Sequence, residues 1–189
     1  MPKGIYKRSE VASKYAVGTE HDTPTGRIVV LEKLARVGGK QPRAVVRFLS
    51  TGSVVNCQLS NLPAGKVKDP RVPTVYGVGY IGSSLVVPMR GHPLRNMYDL
   101  WANMLKRCYG GTETSYRDCA VDPRWHSFTN FVNTLPDVPG FQDWADGRNV
   151  HLDKDVRIIG NRIYGVSTCA FISEFDNLSD ASKRRWAKC

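Results

Sequence analysis

With 41% hydrophobic and 10% aromatic residues among 189, the chain has the material for one ordinary domain or two small ones, and no apolar run approaches the roughly 18 residues a membrane span needs. Its start, Met1-Pro-Lys-Gly-Ile-Tyr-Lys-Arg, is charged without a following apolar region, so no secretory signal is read and a soluble protein retained where it is made is expected. The net charge of +10 is uneven: residues 1–75 hold 13 Lys and Arg against 5 Asp and Glu, and residues 76–189 hold 14 against 12. A basic N-terminal part beside a nearly neutral one favours a polyanion-binding half, with nucleic acid preferred over a merely basic surface, and a half with another task.

Residues 1–20 are polar, with Val11, Ala12, Tyr15 and Val17 interspersed, and read as a basic arm or short helix. Lys3, Lys7, Arg8 and Lys14 suit either a phosphate backbone or a solvated tail. From residue 21 to 62 the pattern is that of a small antiparallel β-sheet or barrel: strands at Arg27–Arg36, Pro42–Leu49 and Ser53–Leu59, with turns at Val37–Lys40 and Thr51-Gly52. Arg27, Arg43 and Arg47 on this sheet, and Lys66 and Lys68 just after it, are the N-terminal candidates for phosphate contact; the usual polar outer face of a half-buried sheet is the competing reading.

Residues 63–95 are rich in Pro and Gly and read as a linker, with a domain boundary near residue 84. Gly77–Gly82 spells G-x-G-x-x-G but does not join a strand to a helix in a βαβ unit, so it is not read as a dinucleotide site. Tyr76 and Tyr80 are expected to pack against a neighbour. Asn96–Tyr109 is the clearest helix. Met97, Leu100, Trp101, Met104, Leu105 and Cys108 form its apolar face, Asn96 and Asp99 offer caps, Arg107 suits the C-terminal dipole, and Gly110-Gly111 ends it. Tyr116–Val121 reads as extended. Asp122-Pro123 opens a second helix with Trp125, Phe128, Phe131, Val132 and Leu135 on its stripe, and residues 137–149 read as a loop. Of the five cysteines, Cys57, Cys108, Cys119, Cys169 and Cys189, no two form a CxxC pair, so buried thiols are expected rather than disulfides or structural zinc.

Residues 150–178 carry the densest pattern. His151, Asp153 and Asp155 recur at period 2, Gly160-Asn161 offers a reversal, Arg162–Ile172 reads as a second strand, and Ser173-x-x-Asp176 resembles a capping pair opening a helix with Phe175, Leu178 and Trp186. Strand, hairpin, strand and helix, with acids on the first strand and Asn177 in the helix's first turn, is the layout of a ββα metal finger holding one divalent cation against a phosphate; an ordinary hairpin-plus-helix corner with solvated charges fits as well.

Several spaced motifs together resemble a family of bacteriophage proteins described as HNH-type or homing endonucleases. They are W-x-x-M-x-x-R-C-Y at Trp101–Tyr109, Y-x-x-C-x-V at Tyr116–Val121, W-x-x-F-x-x-F at Trp125–Phe131, L-D-K-D at Leu152–Asp155, G-N-x-x-Y at Gly160–Tyr164 and T-C-x-F-I at Thr168–Ile172. F-L-x-T-G at Phe48–Gly52, G-x-V-K-D-P at Gly65–Pro70 and Y-G-V-G-Y-I-G at Tyr76–Gly82 extend the resemblance over most of residues 45–178. The resemblance implies an α+β chain in which an N-terminal β domain precedes a helical, HNH-like ββα-metal domain at residues 96–189. It implies a Mg²⁺- or Mn²⁺-dependent endonuclease acting on double-stranded DNA in the cytoplasm of the bacterial host.

In that class an acid and a helix Asn hold the metal, a histidine activates water, and an Asn near the hairpin orients it. Asp153 and Asn177 match the metal ligands. The class histidine position holds Lys154, which serves as a base only if burial or like charge depresses its pKa. His151, on the same strand face as Asp153, is the candidate base. Thr168 or Cys169 occupies the region of the middle Asn, leaving Asn161 as the candidate for that role. Lys183, Arg184 and Arg185 add a C-terminal cluster for phosphate contact. The alternatives are a degenerate scaffold that binds DNA without cutting it, and a protein that binds a host protein.

Overall fold

The computed structural model describes residues 14–35, 41–82, 88 and 90–173. The protein is a mixed α+β chain with a four-stranded antiparallel sheet and few helices, and the described residues form two compact units, one through Val72 and one from Pro73 onward. No helix among the described residues is long and apolar enough to cross a membrane.

The first unit is a meander of β1 (Glu20–Thr23), β2 (Gly26–Leu34), β3 (Arg43–Phe48) and β4 (Val54–Gln58). Strict alternation builds it. Ala44, Val46 and Phe48 on β3 face inward with Ile28 and Val30 of β2, while Arg43 and Arg47 face out, opposite Gln58 and Val54 of β4. A register shift between Val30 and Glu32 interrupts the β2–β3 ladder. Two expectations for residues 1–25 change. Glu20–Thr23 adds a strand ahead of the three expected, and Tyr15, expected in an arm or short helix, is buried in the sheet's core. Both follow from tertiary contact, because neither segment has an apolar pattern of its own. The predicted turn at Val37–Lys40 lies outside the described residues.

G-x-V-K-D-P is explained by one buried carboxylate. Asp69 accepts from the Thr51 hydroxyl at 2.5 Å and from the Arg71 amide at 2.9 Å, and its own amide donates to Thr25 Oγ1 at 2.6 Å. Val67 joins the core, leaving Lys66 and Lys68 exposed on either side. The Thr-Gly of F-L-x-T-G supplies that hydroxyl and a left-handed turn residue, Gly52 at φ 70°.

The second unit is organised by α1 (Arg95–Tyr109), whose Trp101, Met104 and Leu105 are buried as the spacing predicted. Its start differs from expectation. Asn96 and Asp99 do not cap it; Asp99 instead pairs with Arg95 one turn earlier, at 2.6 Å. The predicted helix from Asp122 is two elements. A 3₁₀ turn, Pro123–His126, is capped by Asp122, and Ser127 then breaks into extended backbone and caps α2 (Phe128–Thr134). Periodicity alone could not show that break, since Trp125, Phe128 and Phe131 remain on one buried side. The expected loop at 137–149 contains α3 (Phe141–Ala145), and the expected extended segment at 116–121 is a 3₁₀ turn, Thr114–Tyr116, followed by the two-residue β5 (Ala120–Val121).

The glycines of Y-G-V-G-Y-I-G serve close packing. Tyr80 and Ile81 run beside the start of α2, with the Phe128 amide donating to the Tyr80 carbonyl at 2.8 Å and the Thr129 amide to the Ile81 carbonyl at 3.0 Å. Gly79 lies against α1, where a Cβ would meet Leu105 Cδ1 at 2.5 Å and the Trp101 ring at 3.0 Å. Tyr76, expected to pack, is an exposed residue at φ 49°. We expect Gly79→Ala to destabilise this unit by about 1–3 kcal/mol through overpacking, measured by urea unfolding followed by tryptophan fluorescence; an unchanged midpoint would refute the close-approach account.

Candidate functional site

The stretch expected to form a hairpin does so by a longer route. β6 (Val150–Asp153) pairs antiparallel with β8 (Ala170–Ser173), Leu152 opposite Phe171 and Asp153 opposite Ala170. Between them the chain leaves the ladder, turns at Gly160 (φ 80°), and pairs β7 (Ile163–Tyr164) in parallel with β5. The predicted continuous strand Arg162–Ile172 is therefore two strands, and Asp155 is off the first. Two bonds close a turn within the apolar run: the Thr168 hydroxyl donates to the Ile163 carbonyl at 2.7 Å, and the Cys169 backbone amide to the Gly165 carbonyl at 2.9 Å.

At Asp153 the strand ends in an Asx turn. Its Oδ1 accepts the amides of Asp155 and Val156, each at 2.8 Å. Burial, with a hydrogen bond shared with the Asp155 carboxyl, holds the Asp153 carboxyl above the usual carboxylate range, although the two amides pull the other way. Lys154 points inward. Its ammonium lies 5.7 Å from the Tyr116 ring centre, 5.9 Å from that of Tyr164, and 3.7 Å from Asp155 Oδ2. Asn161 is committed to the turn: its amide donates to the carbonyls of Lys154 and Ile163 at 2.7 Å each.

His151 faces the other way, exposed, and its ring makes no hydrogen bond among the described residues. With Val150 and Leu152 it forms one wall of a cleft of about 110 Å³. Leu100, Asn103, Met104 and Arg107, successive turns of α1, form another wall, and Trp144 and Tyr164 complete the lining. Arg107 is not simply a dipole partner at the helix end, as expected from sequence. Its guanidinium sits 5.8 Å from the Tyr116 ring centre and bonds to Tyr164, whose hydroxyl is pushed well up by burial. The cleft therefore presents a cation, an imidazole and an amide above an apolar floor, a set suited to an anionic ester. Asn103 and Trp144 were not singled out from sequence, and Tyr164 entered only as the tyrosine of G-N-x-x-Y. The available signal was that Asn103 and Arg107 are four apart on the polar flank of α1.

Of the expected site residues, His151, Asp153 and Lys154 occupy one strand end, and Asn161 braces the turn behind them. Asn177, Lys183, Arg184 and Arg185 lie outside the described residues. In the sheet unit, Arg27 is held by Asp22 at 2.9 Å and Glu20 at 3.7 Å. Arg43 is braced by the Asn56 side chain and carbonyl at 2.6 and 2.8 Å, and Arg47 is exposed with no such partner among the described residues. Cys57, Cys119 and Cys169 are buried, and burial pushes the Cys108 and Cys169 thiols up to about 11, so they stay protonated at neutral pH.

No protein-family model, curated protein or solved structure matches this chain.

The raised Asp153 carboxyl has a sign that can be tested. The folded state holds its proton to higher pH than the unfolded chain, so its contribution is present below the unfolded value and is lost as pH rises through the folded one. Asp153→Asn keeps an acceptor for both amides and should flatten this slope without unfolding the protein. Asp153→Ala should flatten it too but cost about 1–3 kcal/mol by orphaning the two amides. Thermal melts across the acid range check both outcomes.

Proposed function

We propose that the chain is a phage-encoded, HNH-type endonuclease that cuts or nicks duplex DNA with one divalent metal, Mg²⁺ or Mn²⁺, in the host cytoplasm. One observation carries the reading: His151 stands exposed on a cleft wall opposite Arg107 and Asn103, two residues along β6 from the half-buried Asp153. An imidazole is the side chain best suited to accept a proton from water near neutral pH, and a guanidinium braced by tyrosines can hold a phosphate oxygen without reorganising. In this scheme His151 activates water, Arg107 and Asn103 orient the phosphodiester, and Lys154 positions the acids rather than acting as a base.

Among the described residues no three His, Cys, Asp or Glu side chains cluster, so a metal here would rest on Asp153 and Asp155 with a further donor. Asp153 and Asp155 are hard oxygen donors in a half-buried turn, where burial and a hydrogen bond shared between the two carboxyls raise Asp153, and a divalent cation would take the place of the shared proton. Asp153 would hold it with Asn177, and the ion would supply charge neutralisation at the leaving oxygen. A second reading, a related scaffold that binds DNA or a host protein without cutting, is favoured by the engagement of this turn: Asp153 Oδ1 already holds two amides, and the Asn161 amide is committed to two carbonyls.

Supercoiled plasmid incubated with Mg²⁺ or Mn²⁺ should be nicked or linearised. The activity should vanish in Asp153→Asn and fall by about 100-fold or more in His151→Ala. Plasmid left intact by a protein that still binds it selects the second reading. If the chain binds DNA, with or without cutting it, Arg47→Ala should lower the slope of log affinity against log salt by about 1. Arg27→Ala should lower it less, because Asp22 and Glu20 already neutralise that guanidinium. Fluorescence anisotropy of a labelled duplex across a salt series measures the difference.

A further inference from the structure

The turn that follows the candidate site carries side chains that neither the fold nor the proposed chemistry uses. Ile158, Ile159 and Ile163 are 52%, 82% and 49% exposed, and with Tyr76 they are the exposed large hydrophobics described in the second unit. Three isoleucines within six residues form a concentrated apolar point, not a scatter. Arg157 precedes the Ile158-Ile159 pair and Arg162 follows it; both are exposed, and neither makes an ion pair among the described residues.

The point is held in shape. The Asn161 amide nitrogen donates to the Ile158 carbonyl at 3.0 Å, closing the turn over Gly160, and the Asn161 side chain ties it to the carbonyls of Lys154 and Ile163. Arg162 is anchored through its carbonyl, which accepts from the Ala120 amide at 2.8 Å, and the Arg157 guanidinium reaches the Val166 carbonyl at 3.4 Å. The isoleucines are thus presented on a braced loop, with their ordering cost met within the fold.

An exposed isoleucine pair bracketed in sequence by two cations without ion pairs, on a chain of net charge +10, matches a surface with negative charge on both sides of an apolar interior. A duplex has that form, with phosphates on each strand and stacked bases between. We propose that Ile158 and Ile159 form a wedge that enters between base pairs of duplex DNA while Arg157 and Arg162 sit on the flanking phosphates, unstacking and bending the duplex beside the candidate site. The inference rests on the DNA-binding part of the preceding reading and is independent of cleavage.

The full-length protein would be titrated, without metal, into a duplex containing several 2-aminopurines, whose fluorescence rises on unstacking. The wild type should raise it. Ile158→Ala with Ile159→Ala removes exposed side chains only, so the unfolding midpoint should hold while affinity drops about tenfold and the fluorescence rise disappears at an unchanged salt slope. Arg157→Ala and Arg162→Ala should each lower the salt slope by about 1 and keep the fluorescence rise. A double isoleucine variant with wild-type affinity and fluorescence overturns the wedge alone, as does one that binds DNA normally but loses self-association in sedimentation, which would make the tip a contact between copies. A wild type that does not bind duplex at all overturns the DNA reading with it.

Discussion

The indole of Trp101 is the constraint on which the second unit depends. It is wholly buried, and its N–H donates to the Trp125 carbonyl at 2.7 Å. That bond fixes α1 against the 3₁₀ turn before α2. Leaving the carbonyl without a partner would cost about 1–3 kcal/mol before any loss of packing. The same ring requires Gly79 beside it, which draws the Gly-rich segment onto α1 and lines up Tyr80 and Ile81 along α2. Tyr109, at the other end of α1, accepts the Val121 amide at 2.9 Å and so seats β5, on which β7 pairs. The path of the chain through residues 154–169 is a consequence of this chain of contacts.

The same path sorts the side chains of the L-D-K-D segment. β6 alternates, so Leu152 is buried while His151 is exposed, and both border the cleft. The Asx turn at Asp153 then sends Lys154 inward, between two tyrosine rings. A lysine in that place is a structural cation. Arg107 shares Tyr116 and Tyr164 with it, so two positive charges and two rings interleave beneath the cleft. Of the two cations, Arg107 is the one that lines the cleft, beside Tyr164.

Most residues that carry the resemblance to HNH proteins have structural work in this chain. Trp101, Trp125, Phe128, Phe131, Tyr164 and Cys169 are buried, Gly160 and Gly52 turn the chain, and Thr168, Asn161 and Asp69 close loops by hydrogen bonds. Such residues specify a scaffold. The chemistry proposed for it depends on a few others, above all His151, Asp153 and Arg107, and the surface that would meet DNA depends on exposed side chains that no packing requirement dictates.

The sequence by itself determined three of the four strands of the basic sheet, the apolar face of α1, the buried stripe through Trp125 and Phe131, and the turn at Gly160. Each is written in local periodicity or in a residue with restricted backbone freedom. Tertiary structure decided what lacks such a signal. β1 forms from Glu-His-Asp-Thr because β2 offers it a ladder. The apolar run 162–172 breaks because β5 and β6 compete for its two halves. Arg107 and His151, 44 positions apart, share a cleft because Trp101 and Tyr109 fix the helix on which one sits and β8 fixes the strand of the other. Spacing along a chain reports which face of its own element a side chain occupies. Which element it meets is set by packing and long-range pairing.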